Sequence, residues 1–297
     1  MKELIVNADD FGFTRGVNEG IRRAHRQGIL TSTTLMANSA AFDHAVECAK
    51  SCPTLGVGCH LVLVGGYCVA PRGEIPSLVD SEGRLPASLP ALVARVSSGM
   101  VRAKEIELEF RAQIQKIRAA GIEPTHLDSH KHTHAHPRVM GALARVAKEM
   151  GIQRVRRPFE TLKNSWATAR RSGKPLSKQL VAAAAARTAA PRFDALARKY
   201  GLHAPGNFLG VASTGQLGPD ALRHLIEILP EGQTEIMMHP GIYDAELIAT
   251  GSRLQQERQL ELDALLDPEV KGEIVARRVR LITFRELKWT VADLAPA

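Results

Sequence analysis

Short apolar runs that end in aspartate or histidine alternate with helical stretches along most of this chain, and that alternation limits the fold more than any other feature. ELIVNA at 3–8 stops at Asp9 and Asp10 before FGF, a strand entering a turn. Val17, Ile21 and Ala24 then recur at helical spacing between Arg15 and Gln27, with Gly28 where a helix would stop. LTSTTLMANS reads as a strand, Phe42 to Lys50 as a helix and GVGCHLVL at 56–63 as another strand. Ile106, Phe110, Ile114 and Ile117 form one stripe of a helix from Lys104 to Ala120, with Gly121 as its cap. THLDSH follows as strand and loop, Pro137 opens a helix reaching Met150, and IQRVR is the next strand candidate. TEIMMHPG at 234–241 is a strand entering a loop, and VRLITFREL at 279–287 a last strand entering a helix.

Strands separated by helices lie parallel, because each crossover helix returns the chain to the same end of the sheet. No GxGxxG or Walker-type phosphate loop is present, which argues against a nucleotide-binding doubly wound sheet. The 297 residues are therefore expected to form one α/β domain over 1–297, a distorted (β/α) TIM-like barrel. The segment at about 163–205, which contains LVAAAAARTAAP, reads as a basic helical insertion.

The net charge of +8 is concentrated: from Arg154 to Lys199 there are twelve Lys and Arg against Glu160 and Asp194. Such a segment suits an anionic membrane surface, an acidic partner or a solvated face. Aromatics at 4% and the lack of a binding motif argue against nucleic acid, although a basic nucleic-acid binder stays open as a non-enzymatic reading. Acids at positions 3, 9 and 10 break any secretory leader, and no charge-free apolar run approaches the ~18 residues a membrane span needs. A cytoplasmic, at most membrane-peripheral, protein is expected. Cys48, Cys52, Cys59 and Cys68 include no CxxC pair and read as free, mostly buried thiols.

In α/β folds the reactive groups gather at the carboxyl ends of the strands. Here those ends carry Asp9 and Asp10, His60, the window HLDSHKHTHAH at 126–136, and His239. Adjacent strand residues face opposite ways, so Asp9 and Asp10 can share a cavity only if the backbone turns at the strand end. One carboxylate could then bind a metal while the other takes a proton. The window holds five of the eleven histidines, and all of them, with Asp128, sit at even positions, so any extended part presents them on one face. Asp with two His is a common three-ligand set for a catalytic divalent cation, which makes hydrolysis the natural reaction class. His239, on another strand end, is placed to donate a proton across the site from Asp9. A metal-dependent phosphoesterase also stays open, with His132 or His134 supplying ligands for a second ion.

NADDFG at 7–12, TSTTLMAN at 31–38, CHLVL around His60, THLDSHKHTH at 125–134 and MHPG at 238–241 together resemble the YdjC-like carbohydrate deacetylases. That family includes the chitooligosaccharide deacetylase and the hopanoid-biosynthesis deacetylase. The motifs occur in the family's order, and the ITFREL tail is similar to its usual ending. The resemblance implies a distorted (β/α) barrel that removes an N-acetyl group from an amino sugar with the help of one divalent metal ion. It implies Asp9 as general base, Asp10, His60 and His130 as metal ligands, and His239 as general acid. His132 and His134 match the remaining histidines and are expected to support the ligands or touch substrate. Where this chain has Lys131, carbohydrate members often carry histidine; lying between even positions, Lys131 is expected to point away from the metal. The ligand types favour Zn2+, with Co2+, Ni2+ and Mg2+ as alternatives. The expected substrate is an N-acetylated amino sugar, with a lipid-linked one such as an N-acetylglucosaminyl hopanoid slightly favoured over a soluble chitooligosaccharide. A homodimer is the default expectation for a soluble enzyme.

Overall fold

The computed structural model, which describes residues 1–160 and 187–287, has β1 (Lys2–Phe11) in the middle of a parallel sheet. The strand order is β4-β3-β2-β1-β6-β5, from β2 (Ser32–Leu35), β3 (Gly56–Leu61), β4 (Leu127–Ser129), β5 (Asn207–Leu209) and β6 (Gly232–Met238). A short β7 (Arg280–Leu281) pairs with the start of β1 through Glu3 and Leu4. Every residue of β1 from Leu4 to Phe11 is buried, as expected where helices cover a parallel sheet.

The two faces of β1 differ in chemistry. Leu4, Val6 and Ala8 join the main apolar core that includes residues of the surrounding helices. Ile5 instead packs with Ile282, Phe284 and Leu287 in a separate cluster. Asn7 and Asp9 follow Ile5 at the two-residue period, so that face is apolar at its base and polar toward the strand's carboxyl end.

Helices fill the crossovers: α1 (Arg15–Gln27), α2 (Phe42–Lys50), α3 (Leu89–Ser97), α4 (Ala103–Ala119) and α5 (Pro137–Glu149). They are followed by α6 (Ala190–Tyr200), α7 (Pro219–Glu227), α8 (Ala245–Ala249), α9 (Gln256–Leu266) and α10 (Pro268–Ala276). The α1 boundaries follow from its caps: the Thr14 hydroxyl accepts the Val17 N–H, and the Gly28 N–H bonds to the Ala24 carbonyl. Gly121 has the left-handed φ of 83° that ends α4 cheaply.

The sheet curls but is not a full barrel. Between β4 and β5 the described residues make only isolated bridges, Leu127 with Val155 and Arg154 with His203, where IQRVR was expected to be a strand. Pro158 lacks the N–H that a longer pairing would use. The expected last helix is a single 3-10 turn, Phe284–Glu286, closed by a capping box between Thr283 and Glu286. Residues 161–186, and with them most of the expected insertion at about 163–205, lie outside the described residues; its described end holds α6, which packs on α5. The four cysteines are free. Among the described residues no helix is long and apolar enough to cross a membrane.

Candidate active site

The acidic pair sits in a bulge. Against β2, Ala8 is level with Thr33 and Phe11 with Leu35, so β1 takes three steps where its neighbour takes two. Asp10 adopts a left-handed φ of 63°, a strained conformation that Asp tolerates better than most residues. The strand was expected to stop at these acids; it runs on to Phe11 instead, and the bulge within it is what turns both Asp9 and Asp10 into one polar cavity.

Asp10 meets the two histidines expected beside it. Its Oδ1 lies 3.1 Å from His130 Nδ1 and 3.5 Å from His60 Nε2, and the three candidate ligand atoms lie within 4.8 Å of one another. The other oxygen, Oδ2, accepts from Arg258 Nη2 at 2.6 Å. Burial raises the Asp10 pKa, but Arg258 and the His130 hydrogen bond outweigh it and hold the carboxyl well below its usual range.

His60 is oriented from behind. Its Nδ1 bonds Asp128 Oδ1 at 2.7 Å, which puts the Nδ1 proton on the carboxylate side and turns Nε2 toward Asp10. This carboxylate–histidine arrangement is the usual support of a metal-ligating imidazole. Burial lowers the ring's pKa, yet Asp128, with Asp9 and Asp10, raises it to about 9. A cation at Nε2 would displace the proton on that nitrogen and leave the Nδ1 proton with Asp128.

Asp9 lies in a buried charge cluster that the sequence did not reveal. Arg156, fully buried, holds both Asp9 oxygens at 2.6 and 2.7 Å and also bonds Asp128 at 2.6 Å and Glu235 at 2.7 Å. Asn7 Nδ2 donates to Asp9 Oδ1 at 3.0 Å. Burial pushes Asp9 up, Arg156 pulls it down, and the net is a lowered carboxyl. Glu235, with one oxygen lacking a partner, is raised to about 7 by burial against the pull of Arg156. Asp9, His60 and Asp128 also offer clustered ligand atoms, but Arg156 and the His60 Nδ1 bond already occupy them.

His239 follows β6, and its Nδ1 is buried without a partner. Burial lowers its pKa to about 4 against the pull of Asp10 and Asp9. The even-numbered histidine face ends at Ser129, because His130–Ala135 forms a 3-10 segment with left-handed φ of 54° at Lys131 and 52° at His132. Lys131 is exposed, and it sits at this kink rather than on an alternating strand. His132 stands edge-on to Phe208, its Nδ1 buried and unpartnered and its pKa lowered by burial to about 3. His134 has both nitrogens engaged: Nδ1 with Ser129 Oγ at 2.5 Å and Nε2 with the Arg156 carbonyl at 3.2 Å. That fixes the loop rather than offering a nitrogen to substrate. His126 stacks on Phe284 at 3.6 Å, in the apolar base, and His136 caps α5.

Arg156, Arg258, Glu235 and Glu261 complete the site's surroundings, and sequence reading gave them no role in it; Asp128 was read only as part of the even-numbered histidine face. Glu235 carried a signal, an acid inside the apolar run TEIMM, and Arg156 sits where IQRVR ends. A second trio of ligand types, Glu19, His44 and Cys48, lies between α1 and α2. There Asn18 Nδ2 donates to His44 Nδ1 at 3.2 Å, leaving the proton on the nitrogen that faces Glu19, while Arg22 takes the other Glu19 oxygen. This trio forms a hydrogen-bonded seam between the helices.

A family model described as YdjC-like protein matches residues 3–275. The chain belongs to the YdjC-like family. Among its YdjC-like relatives, a carbohydrate deacetylase of Brevibacillus brevis is 37% identical over 285 residues, 96% of this chain and 99% of that protein. One of Geobacillus stearothermophilus is 38% identical over 95% of this chain and 96% of its own length. The chitooligosaccharide deacetylase of Klebsiella pneumoniae is 35% identical over 96% and 98%. An Enterococcus faecalis crystal structure, named for cellobiose-phosphate cleavage, superposes with a TM-score of 0.76 at 27% identity, covering 95% of this chain and 97% of that one.

Proposed function

We propose that this YdjC-like protein is a metal-dependent hydrolase that removes the N-acetyl group of an N-acetylated amino sugar and releases acetate. The observation that carries the reading is the meeting of Asp10, His60 and His130 beside a separately held Asp9. Full-length relatives named as carbohydrate deacetylases supply the substrate class. The matched span of 3–275 supports treating the chain as one deacetylase domain.

Asp10 Oδ1, His60 Nε2 and His130 Nδ1 would hold the divalent cation, and one carboxylate with two imidazoles favours Zn2+ over Mg2+. When bound, such an ion polarises an amide carbonyl and makes water a stronger nucleophile. Asp9 accepts the proton of the attacking water, and the Arg156 fork keeps that carboxylate ionised and fixed in direction. Arg258 neutralises the far oxygen of Asp10 and leaves Oδ1 directed at the histidines. His239 delivers a proton to the departing nitrogen; because burial holds its ring near 4 it starts neutral, and the proton it passes on is one released by the attacking water. An amide needs this help because an unprotonated amine leaves poorly.

A lipid-linked sugar is the finer reading and rests on the basic charge of 154–199, of which 161–186 lies outside the described residues. Binding to anionic liposomes at low salt would support it, and flotation without protein would remove its basis. The main test is acetate release from a panel of N-acetylglucosamine, chitooligosaccharides and N-acetylated glycolipids, with and without a chelator. Release that stops with chelator and returns with Zn2+ is expected. Turnover of phosphate esters with no acetate release from any member would overturn the reading.

A further inference from the structure

We propose that Glu261 is a positioning residue for the reaction and works through His239. The inference rests on the role given to His239 above. Glu261 lies on α9, fully buried, and its two oxygens serve two loops at the carboxyl end of the sheet. Oε2 accepts the His239 N–H at 2.5 Å, Oε1 accepts the Gly215 N–H at 2.7 Å, and the Leu217 N–H also bonds the carboxylate.

His239 depends on this anchor through its backbone. Nδ1 has no hydrogen-bond partner to aim the ring, so the position of the main chain beneath it contributes to its direction. That backbone is gripped from α9 at two points, by the Glu261 carboxylate at His239 and by the Arg258 carbonyl, 3.1 Å from the Gly241 N–H. Pro240 between them restricts φ and leaves the loop few alternatives. The same helix holds Asp10 through the Arg258 side chain, so residues one turn apart register the β1 and β6 strand ends against each other. A carboxylate buried among backbone N–H groups is a costly way to tie two loops if nothing but stability is served.

The test uses full-length zinc-loaded protein, N-acetylglucosamine oligomers and acetate release, with Glu261→Ala and Glu261→Gln made in wild-type and His239→Ala backgrounds. Glu261→Ala is expected to lower kcat at least about tenfold while KM and calorimetric Zn2+ affinity stay within about twofold. Glu261→Gln, which keeps one acceptor oxygen, should fall between, and it carries the test if the alanine variant does not melt cooperatively. In the His239→Ala background, Glu261→Ala should change kcat by less than about twofold, since residues acting as a unit are not additive. An equal fold loss in both backgrounds, or a change in KM with kcat unmoved, would overturn the proposal. Wild-type turnover by His239→Ala alone would instead sink the acid assignment, and the positioning role with it.

Discussion

Replacing Arg156 with Met removes the guanidinium that Asp9, Asp128 and Glu235 share in a cluster almost closed to solvent. Breaking a buried ion pair from one side costs about 3–5 kcal/mol, because the remaining charge is left without a partner or must take up a proton. At about 2–4 °C of melting temperature per kcal/mol in a protein of this size, the expected fall is roughly 6–20 °C. The loss should depend on pH in a defined direction. Without the arginine, the folded-state pKa values of Asp9 and Glu235 rise above their unfolded values, while Asp128 keeps His60, so the folded variant binds more protons and gains relative stability as pH falls. Thermal and urea unfolding of wild type and Arg156→Met at pH 8 and pH 5 should show a gap that narrows at pH 5. Arg156→Lys, which keeps the charge but not the two-pronged grip on Asp9, should lie between them. A variant that melts within about 2 °C of wild type at pH 8 would refute the claim that one cation holds three acids.

Asp9→Asn should keep Zn2+ binding in calorimetry yet lose at least about 100-fold in acetate release; wild-type turnover would exclude Asp9 as the base. His130→Ala removes a ligand atom and should weaken Zn2+ by more than about 100-fold together with activity, and unchanged metal binding would exclude the trio. His126, held near 3 by burial in the folded protein against 6.5 for an ordinary imidazole, refuses a proton the unfolded chain accepts between those values. Stability should therefore drop as pH falls through that window, by about 1.4 kcal/mol per unit for this ring. His126→Gln should flatten that slope in urea unfolding at pH 6, 5 and 4, and an unchanged slope would count against it.

The elements with strong periodicity were legible in the sequence: α1 runs from Arg15 to Gln27 as its apolar stripe and Gly28 imply, and β3 begins at Gly56 as read. The trio of Asp10, His60 and His130 was picked out by the family resemblance; the residues alone put Asp and His near strand ends, which converge in this architecture, without choosing among them. The second layer was not, for a physical reason. A buried arginine and a solvated one look alike in sequence, and Arg156 stands among twelve basic residues that read as one charged face. Arg258 and Glu261 belong to α9, whose apolar positions give no clear stripe, so its inward charges had no pattern to stand against. The kink at Lys131 and His132 also escaped, since alternation predicts a continued strand and carries no information about two successive left-handed residues.

The bulge in β1 makes the two acids a single inherited unit. Deleting one residue between Ala8 and Phe11 would restore regular pairing with β2 and swing whichever aspartate remained by a full side of the ribbon. A length change in this short stretch therefore erases proton acceptor and ligand together.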